Sequence, residues 1–426
     1  MTGSTRRLWF AVHSWLGLTC GLLLFVVCWS GTLAVFSHEI DWLIDQRLRA
    51  QSPPAEVRWQ AIADAVEARY PNWRIVEINA PRRDGFAVEV LAEPVADRPQ
   101  RIYVDPRSAQ VLGRTSFFNV QRFFRSFHMS LFDTGRFTVL GVPLGYFVVA
   151  VVSLPLLASM ASSLVFYRRW WRACFTITIG KGARAFWSSA HKLAGVWSLW
   201  FIIVIGGTGA WYLAEWYVPY GEDPEPPRQV ANGPALSLDA LVAKAETAYP
   251  GLNVTGISGW VDGPVVAISG RDGSFLVRDG AASAIIHRQS GVVSALHRPS
   301  EMGLLDRWME TVDPVHFGTW GGLGSQLLYF VFGLGLSSLA LTGAYLHAQR
   351  QQRLRGPMRV RGPVLAAYLA TLVLVGFSVW SGYQEIRGYG LEGRFPDVPP
   401  GAVLVIGLWC FSTIASLCIW IGKLRG

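Results

Sequence analysis

Carboxylates are almost missing from the long apolar runs of this 426-residue chain, and charged residues of both signs make up only 16% of it. Cysteine is also sparse. Of five cysteines, Cys20, Cys28, Cys410 and Cys418 lie inside apolar runs and Cys174 in a basic stretch, so no disulfide framework is expected. No G-x-G-x-x-G opens a helix after a strand, which excludes a bound dinucleotide of that type. Proton relay by buried His, Asp or Glu is disfavoured by the same shortage of acid.

Hydrophobic residues, by contrast, form 51% of the chain, and nineteen are tryptophan, a residue favoured at membrane–water interfaces. Six stretches reach the ~18 apolar residues of a spanning helix: Leu8–Phe36, Thr138–Tyr167, Phe186–Leu213, Leu323–Leu346, Val364–Tyr383 and Ala402–Ile421. The net charge of +9 raises nucleic-acid binding, but the basic residues cluster beside these runs. Arg6 and Arg7 precede the first run, and Arg168, Arg169, Arg172, Lys181, Arg184 and Lys192 lie between the second and third. Arg350, Arg353, Arg355, Arg359 and Arg361 follow the fourth, and Lys423 and Arg425 the sixth. Six spans with both termini inside place every cluster on the cytoplasmic side, as the positive-inside rule requires. Nucleic acid is set aside. The first run is too long for a signal-peptide core and lacks an A-x-A-type cleavage site, so it is expected to be retained.

Between the spans, Glu39–Arg136 and Glu215–Gly322 are expected outside. Each begins with an amphipathic helix ending in Tyr-Pro, Trp59–Tyr70 before Pro71 and Leu238–Tyr249 before Pro250, where proline stops the helix. Strand-like alternation follows in Arg74–Ile78, Phe86–Ala92 and Arg101–Val104. In the second segment it covers Val254–Trp260, Val265–Ser269, Ser274–Val277 and Ala284–His287. Turns at Asp84-Gly85, Asp262-Gly263 and Asp272-Gly273 suit hairpins, so each segment reads as a small α+β domain. The segments are copies. His13 matches His191 at an offset of 178, Tyr70-Pro71 matches Tyr249-Pro250 at 179, Asp105–Gly113 matches His287–Ala295 at 182, and His128 matches His316 at 188. Duplication with direction kept gives parallel repeats about an axis along the membrane normal. The fifth and sixth spans have no counterpart.

Histidines mark both membrane faces. His13 and His191 sit at equal depth in spans one and three, each with a glycine four residues on, Gly17 and Gly195, that leaves the same helical face bare. His128 and His316 precede the outer ends of spans two and four. His38 and His347, beside Gly343, are unpaired candidates at the two faces, whereas His287 and His297 read as ordinary domain residues. Zinc favours four close His, Cys or carboxylate ligands, and no H-x₃-H or C-x₂-C spacing supplies them. Paired histidines among aromatics and glycines better suit bis-axial haem ligation, one haem per face. With no C-x-x-C-H, such haem is held non-covalently.

The His-x-x-x-Gly starts, Gly31-Thr32, Thr208-Gly209, Thr342-Gly343, and the Phe-Phe-Arg-Ser-Phe-His-Met-Ser-Leu run at 123–131 resemble the PepSY-associated transmembrane family over about residues 5–355. The Tyr-Pro segments look like PepSY domains. The resemblance implies an integral membrane all-α bundle of six helices, a duplicated four-helix core plus two, with two small periplasmic α+β PepSY-like domains. Its map runs 1–38, span one; 39–136, first domain; 137–168, span two; 169–185, cytoplasmic loop; 186–214, span three; and 215–322, second domain. Span four at 323–347, a basic linker at 348–363, span five at 364–383, a periplasmic loop at 384–400 and span six with the C-terminus at 401–426 complete it.

By the same resemblance the chain is expected to be a bacterial inner-membrane ferric-siderophore reductase with two b haems. His13, His191, His128 and His316 match the family's recurrent histidines, with His347 and His38 as alternatives. A cytoplasmic or membrane donor, flavoprotein or quinol, is expected to supply electrons to a ferric siderophore or other ferric chelate. Arg82, Arg83, Arg98, Arg101, Arg107, Arg122 and Arg125 are available to attract an anionic chelate. Spans five and six, the long basic linker and His287 in the slot of Asp105 depart from the pattern. A non-redox PepSY-type binding or anchor protein, or a siderophore or metal transporter, is the alternative.

Overall fold

The computed structural model describes residues 3–54, 56–94, 98–218, 234–259, 263–355 and 362–425. Trp260, Asp262, Arg359, Arg361 and the stretch 219–233, which figured in the expectations above, lie outside the described residues.

The first apolar run is two helices, α1 (Gly3–Thr19) and α2 (Gly21–Ala34), bent by 63°. A short α3 (Ser37–Ile44) leads into the first sheet-forming segment, α4 (Trp59–Arg69), β1 (Trp73–Asn79), β2 (Val88–Pro94), β3 (Gln100–Val104) and β4 (Val111–Ser116). An amphipathic α5 (Val120–Ser130) and a two-residue hairpin, β5 (Thr138–Val139) and β6 (Val142–Pro143), then enter the second span, α6 (Leu144–Val151) and α7 (Ser153–Phe166). That span begins at Leu144 rather than Thr138, because left-handed Leu140 and Gly141 turn the chain into the hairpin.

The second copy repeats the plan. Its span is α8 (Ala183–Trp197) and α9 (Leu199–Glu215), bent by 62°. It continues through α10 (Leu238–Ala248), β7 (Asn253–Ser258), β8 (Val265–Arg271), β9 (Ala282–His287), β10 (Val293–His297) and α11 (Leu304–Phe317) to the long α12 (Gly322–Arg355). Finally α13 (Gly362–Arg387) and α14 (Pro400–Arg425) add a hairpin. Among the described residues four helices are long and apolar enough to cross a membrane, and the two bent pairs make six if each is one span. The breaks fall at Cys20 and Ser198, separated by the same 178 residues as His13 and His191. Neither break contains proline. At the first, the Thr19 hydroxyl donates to the Trp15 carbonyl at 2.8 Å, a back-bond that bends helices.

The two soluble segments, read from sequence as separate small domains, share one eight-stranded sheet in the order β10-β9-β8-β7-β1-β2-β3-β4. Its seam is a three-residue antiparallel pairing of β1 with β7. One hydrophobic core runs beneath both halves: Ile62, Ala63 and Val66 of α4 and Leu241, Val242 and Ala245 of α10 occupy the same helical positions at an offset of 179. The helices also cap each other. Asp239 accepts from the backbone N–H groups of Trp59 at 2.9 Å and Gln60 at 3.4 Å, while the Gln60 side chain accepts from Leu238 N–H at 2.8 Å. Helix N-termini carry unpaired donors, and here each copy supplies the other's acceptor. The strand expected at Ser274–Val277 is instead a turn, with left-handed Leu276 and Asp272 accepting from Ser274 N–H at 2.9 Å. The fourth strands of the two halves are β4 and β10, whose weak alternation hid them.

Candidate functional site

His128 and His316 sit near the ends of two short amphipathic helices, α5 and α11, each closed by a left-handed residue, Leu131 or Gly318. The helices lean on the sheet-side halves of the bent spans, α5 on α2 and α11 on α9. Their imidazole rings are thereby brought together from opposite copies, with centres 6.2 Å apart and planes tilted by 36°.

The hydrogen bonds assign the proton on each ring. His128 Nδ1 lies 2.9 Å from the Val27 carbonyl and 3.3 Å from Ser30 Oγ. A carbonyl only accepts, so Nδ1 carries the proton. His316 Nδ1 lies 2.7 Å from Thr208 Oγ1, whose own hydroxyl donates to the Val204 carbonyl at 2.6 Å. Here too Nδ1 must donate. Ser30 and Thr208 are equivalent at the 178-residue offset, so the repeated pair is Ser30-Gly31 and Thr208-Gly209. A methyl on Gly31 would come within 2.6 Å of the His128 ring, so that glycine makes room for it.

The same pattern recurs at the other depth. His13 Nδ1 is 2.9 Å from the Ser159 carbonyl of α7. His191 Nδ1 is 2.9 Å from Thr342 Oγ1 of α12, and that hydroxyl donates to Ser338 at 2.8 Å. Both rings are again protonated at Nδ1. Among the described residues, none of the four Nε2 atoms has a hydrogen-bond partner, so each offers a free lone pair. Thr342 and Gly333, whose added methyl would strike Thr32, are nine residues apart on α12. That spacing puts the α12 positions that meet His191 and Thr32 about 14 Å apart along the helix.

His347 and His38 differ from these four. His347 has a buried Nδ1 without a partner and an Nε2 that faces the Gln351 amide at 3.4 Å, the reverse pattern. His38 lines a cavity of about 380 Å³ together with His128 and His316 but stands outside the ring pair. This cavity is deep: Ala34 and Leu24 both line it, and ten residues of α2 span about 15 Å. Its inner part is apolar, formed by Leu24, Leu156, Phe201 and Leu336. Three of the candidate arginines are matched by carboxylates, Arg83 with Glu39 at 3.0 Å, Arg101 with Glu89 at 2.8 Å and Arg122 with Glu385 at 2.9 Å. Arg82 and Arg125 line the cavity instead.

Sequence reasoning missed Ser30 and Ser159 and saw the Thr-Gly pairs only as motifs. The repeat offset applied to Thr208 would have found Ser30. The PepSY-associated TM region matches residues 10–350. A Pseudomonas aeruginosa protein, Uncharacterized protein PA4219, is 26% identical over 329 residues, covering 68% of this chain and 78% of its own length. With its duplicated bent spans, its apolar helices and that match over most of its length, the chain is a multi-pass membrane protein and belongs to the PepSY-associated transmembrane family.

Proposed function

We propose that the protein is a transmembrane reductase holding two b haems, His128 with His316 at the sheet side and His13 with His191 at the other, which delivers electrons to a ferric chelate such as a ferric siderophore. The observation that carries this reading is the His128–His316 pair: two rings 6.2 Å apart, each donating through Nδ1 and each with Nε2 free. A metal bound to two imidazole nitrogens at about 2.0 Å separates the ring centres by roughly 6.3 Å. Among the described residues no three His, Cys, Asp or Glu side chains converge. A site with two protein ligands suits a metal that brings its remaining ligands with it, as the iron of a porphyrin does.

Haem at the two levels would supply one-electron chemistry linking the two faces of the bilayer. The chain's own residues do the rest. The carbonyls of Val27 and Ser159 and the hydroxyls of Thr208 and Thr342 hold each ring's tautomer and orientation and raise its basicity. On this reading the sheet lies on the periplasmic side of a bacterial inner membrane with both termini in the cytoplasm, which the basic segments beside the spans support. One electron from a flavoprotein or quinol donor converts Fe(III) to Fe(II), which hard oxygen chelators hold less tightly.

The test is an absorption spectrum of the purified protein with and without dithionite. A reducible bis-histidine b-type spectrum is expected. His128→Ala or His316→Ala should remove one haem, and His13→Ala or His191→Ala the other. A colourless protein from haem-replete cells would overturn the proposal in favour of a non-redox binding or anchoring role.

A further inference from the structure

The cavity that contains His128 and His316 has an apolar floor but a charged mouth, and the charge is lopsided. Arg125 precedes His128 by three residues on α5, so it lies on the same helical face, one turn away. The equivalent residue before His316 is Asp313. Asp313 is compensated, accepting from the Tyr212 hydroxyl at 2.8 Å and facing Arg278 at 3.6 Å. Arg82, from the β1–β2 loop, joins Arg125 on the cavity wall, and both act electrostatically on His38. Neither has a carboxylate within ion-pair distance among the described residues, while Arg83, Arg101 and Arg122 nearby all do. Two guanidinium groups outside direct ion pairs at the rim of an apolar pocket, with Glu39 acting on Arg82 only from beyond ion-pair distance, fit a ligand with an apolar body and acidic groups along one edge.

We propose that Arg82 and Arg125 form a carboxylate-binding mouth that receives the two propionates of the porphyrin between His128 and His316. This inference rests on the haem reading. It adds an orientation. The duplicated histidines alone would accept the macrocycle either way round, and the replacement of Arg125 by Asp313 in the second copy breaks that symmetry. The acidic edge therefore faces the first copy.

The full-length chain, produced in haem-deficient cells with the His13→Ala and His191→Ala changes so that only the sheet-side site remains, is titrated with protohaem and with its dimethyl ester. Protohaem is expected to bind at least about tenfold more tightly, the worth of a charge-assisted contact. Arg82→Gln and Arg125→Gln should each reduce that preference and together abolish it. Retention of the unliganded melting temperature shows that the variants fold. Equal affinity for haem and diester in the parent chain, or an unchanged preference in the double arginine variant, overturns the mouth while leaving the haem reading intact. Failure of the parent to bind either compound defeats the haem reading itself. Should the arginine changes weaken ferric-chelate reduction in the otherwise unaltered protein without altering haem preference, the arginines serve chelate docking and the proposal is wrong.

Discussion

Ile78 and Ile257 face each other in register across the β1–β7 seam, both fully buried, and they are the same residue of the duplicated unit, 179 positions apart. Equivalent residues paired antiparallel lie on a local twofold axis. Equivalent parts of the two copies also meet where the N-termini of α4 and α10 cap one another and at the His128–His316 pair, again one residue from each copy. The sheet thus ties the two halves of the histidine site together from above.

Ile257→Ala is expected to destabilise the sheet by about 2–5 kcal/mol, the range for a buried large-to-Ala change. Because one core underlies both halves, thermal unfolding followed by circular dichroism should move as a single transition. Two transitions, with only one displaced, would contradict a shared core.

Removing the hydroxyl beside each sheet-side histidine should have unequal effects. Thr208 Oγ1 is the partner of His316 Nδ1, whereas His128 keeps the Val27 carbonyl if Ser30 is lost. On the proposed haem reading, Thr208→Val is expected to weaken haem retention by about 10–100-fold, the usual cost of an outer-shell partner. Ser30→Ala should cost much less. Haem content after dialysis against apomyoglobin measures both, and equal losses would count against the assigned tautomers.

An alanine at position 31 collides with the His128 ring, while one at position 207 meets nothing within 4 Å. If the protein holds the two haems proposed, Gly31→Ala should therefore disturb the sheet-side haem spectrum and leave that of the other level unchanged. Gly207→Ala, in the neighbouring span, should leave both spectra as they are.

The added hairpin braces the helix that carries His128. Glu385 of α13 accepts from Arg122 Nε at 3.0 Å, Ser126 Oγ at 2.7 Å and Tyr389 OH at 3.1 Å. Trp409 of α14 packs edge-on against Phe124 and Phe127. Glu385→Ala strips a buried acceptor from α5 and should cost about 2 kcal/mol. With the proposed haems bound, thermal release should come earlier at the sheet side than in the parent protein, with the His13–His191 level unaffected.

Asp105 supplies a pH dependence. Burial raises its pKa, but hydrogen bonds from Ser108, Ser52 and Gln51 outweigh burial and hold the carboxyl below its ordinary value of 3.8. A group depressed in the folded state stabilises it above the unfolded value and loses that contribution as pH falls through the folded one. The melting-temperature difference between the parent and Asp105→Asn should accordingly be constant near neutrality and shrink once pH drops below about 4. A difference that instead grows with acid would reverse the sign.

Much of the architecture was legible in the chain because it is local. A span declares itself by the length of its apolar run, a helix end by Tyr-Pro, and the duplication by the near-constant offset between His13 and His191 and between Tyr70 and Tyr249. Even the bends obey that offset. The strand errors also have local causes: Leu276 adopts a left-handed conformation that an alternating pattern does not reveal, and β4 and β10 alternate too weakly to be seen.

The sequence by itself determined that four histidines recur in two pairs at two depths of a membrane. Tertiary structure decided what those pairs can do. The joining of β1 to β7, the proton on each Nδ1, the facing of His128 and His316 and the clasp of Glu385 on α5 all depend on atoms brought together from distant parts of the chain. Such contacts leave no periodicity or spacing to read. They arise because backbone groups and imidazoles buried in the bundle must find hydrogen-bond partners, and only the packed helices settle which partners are within reach.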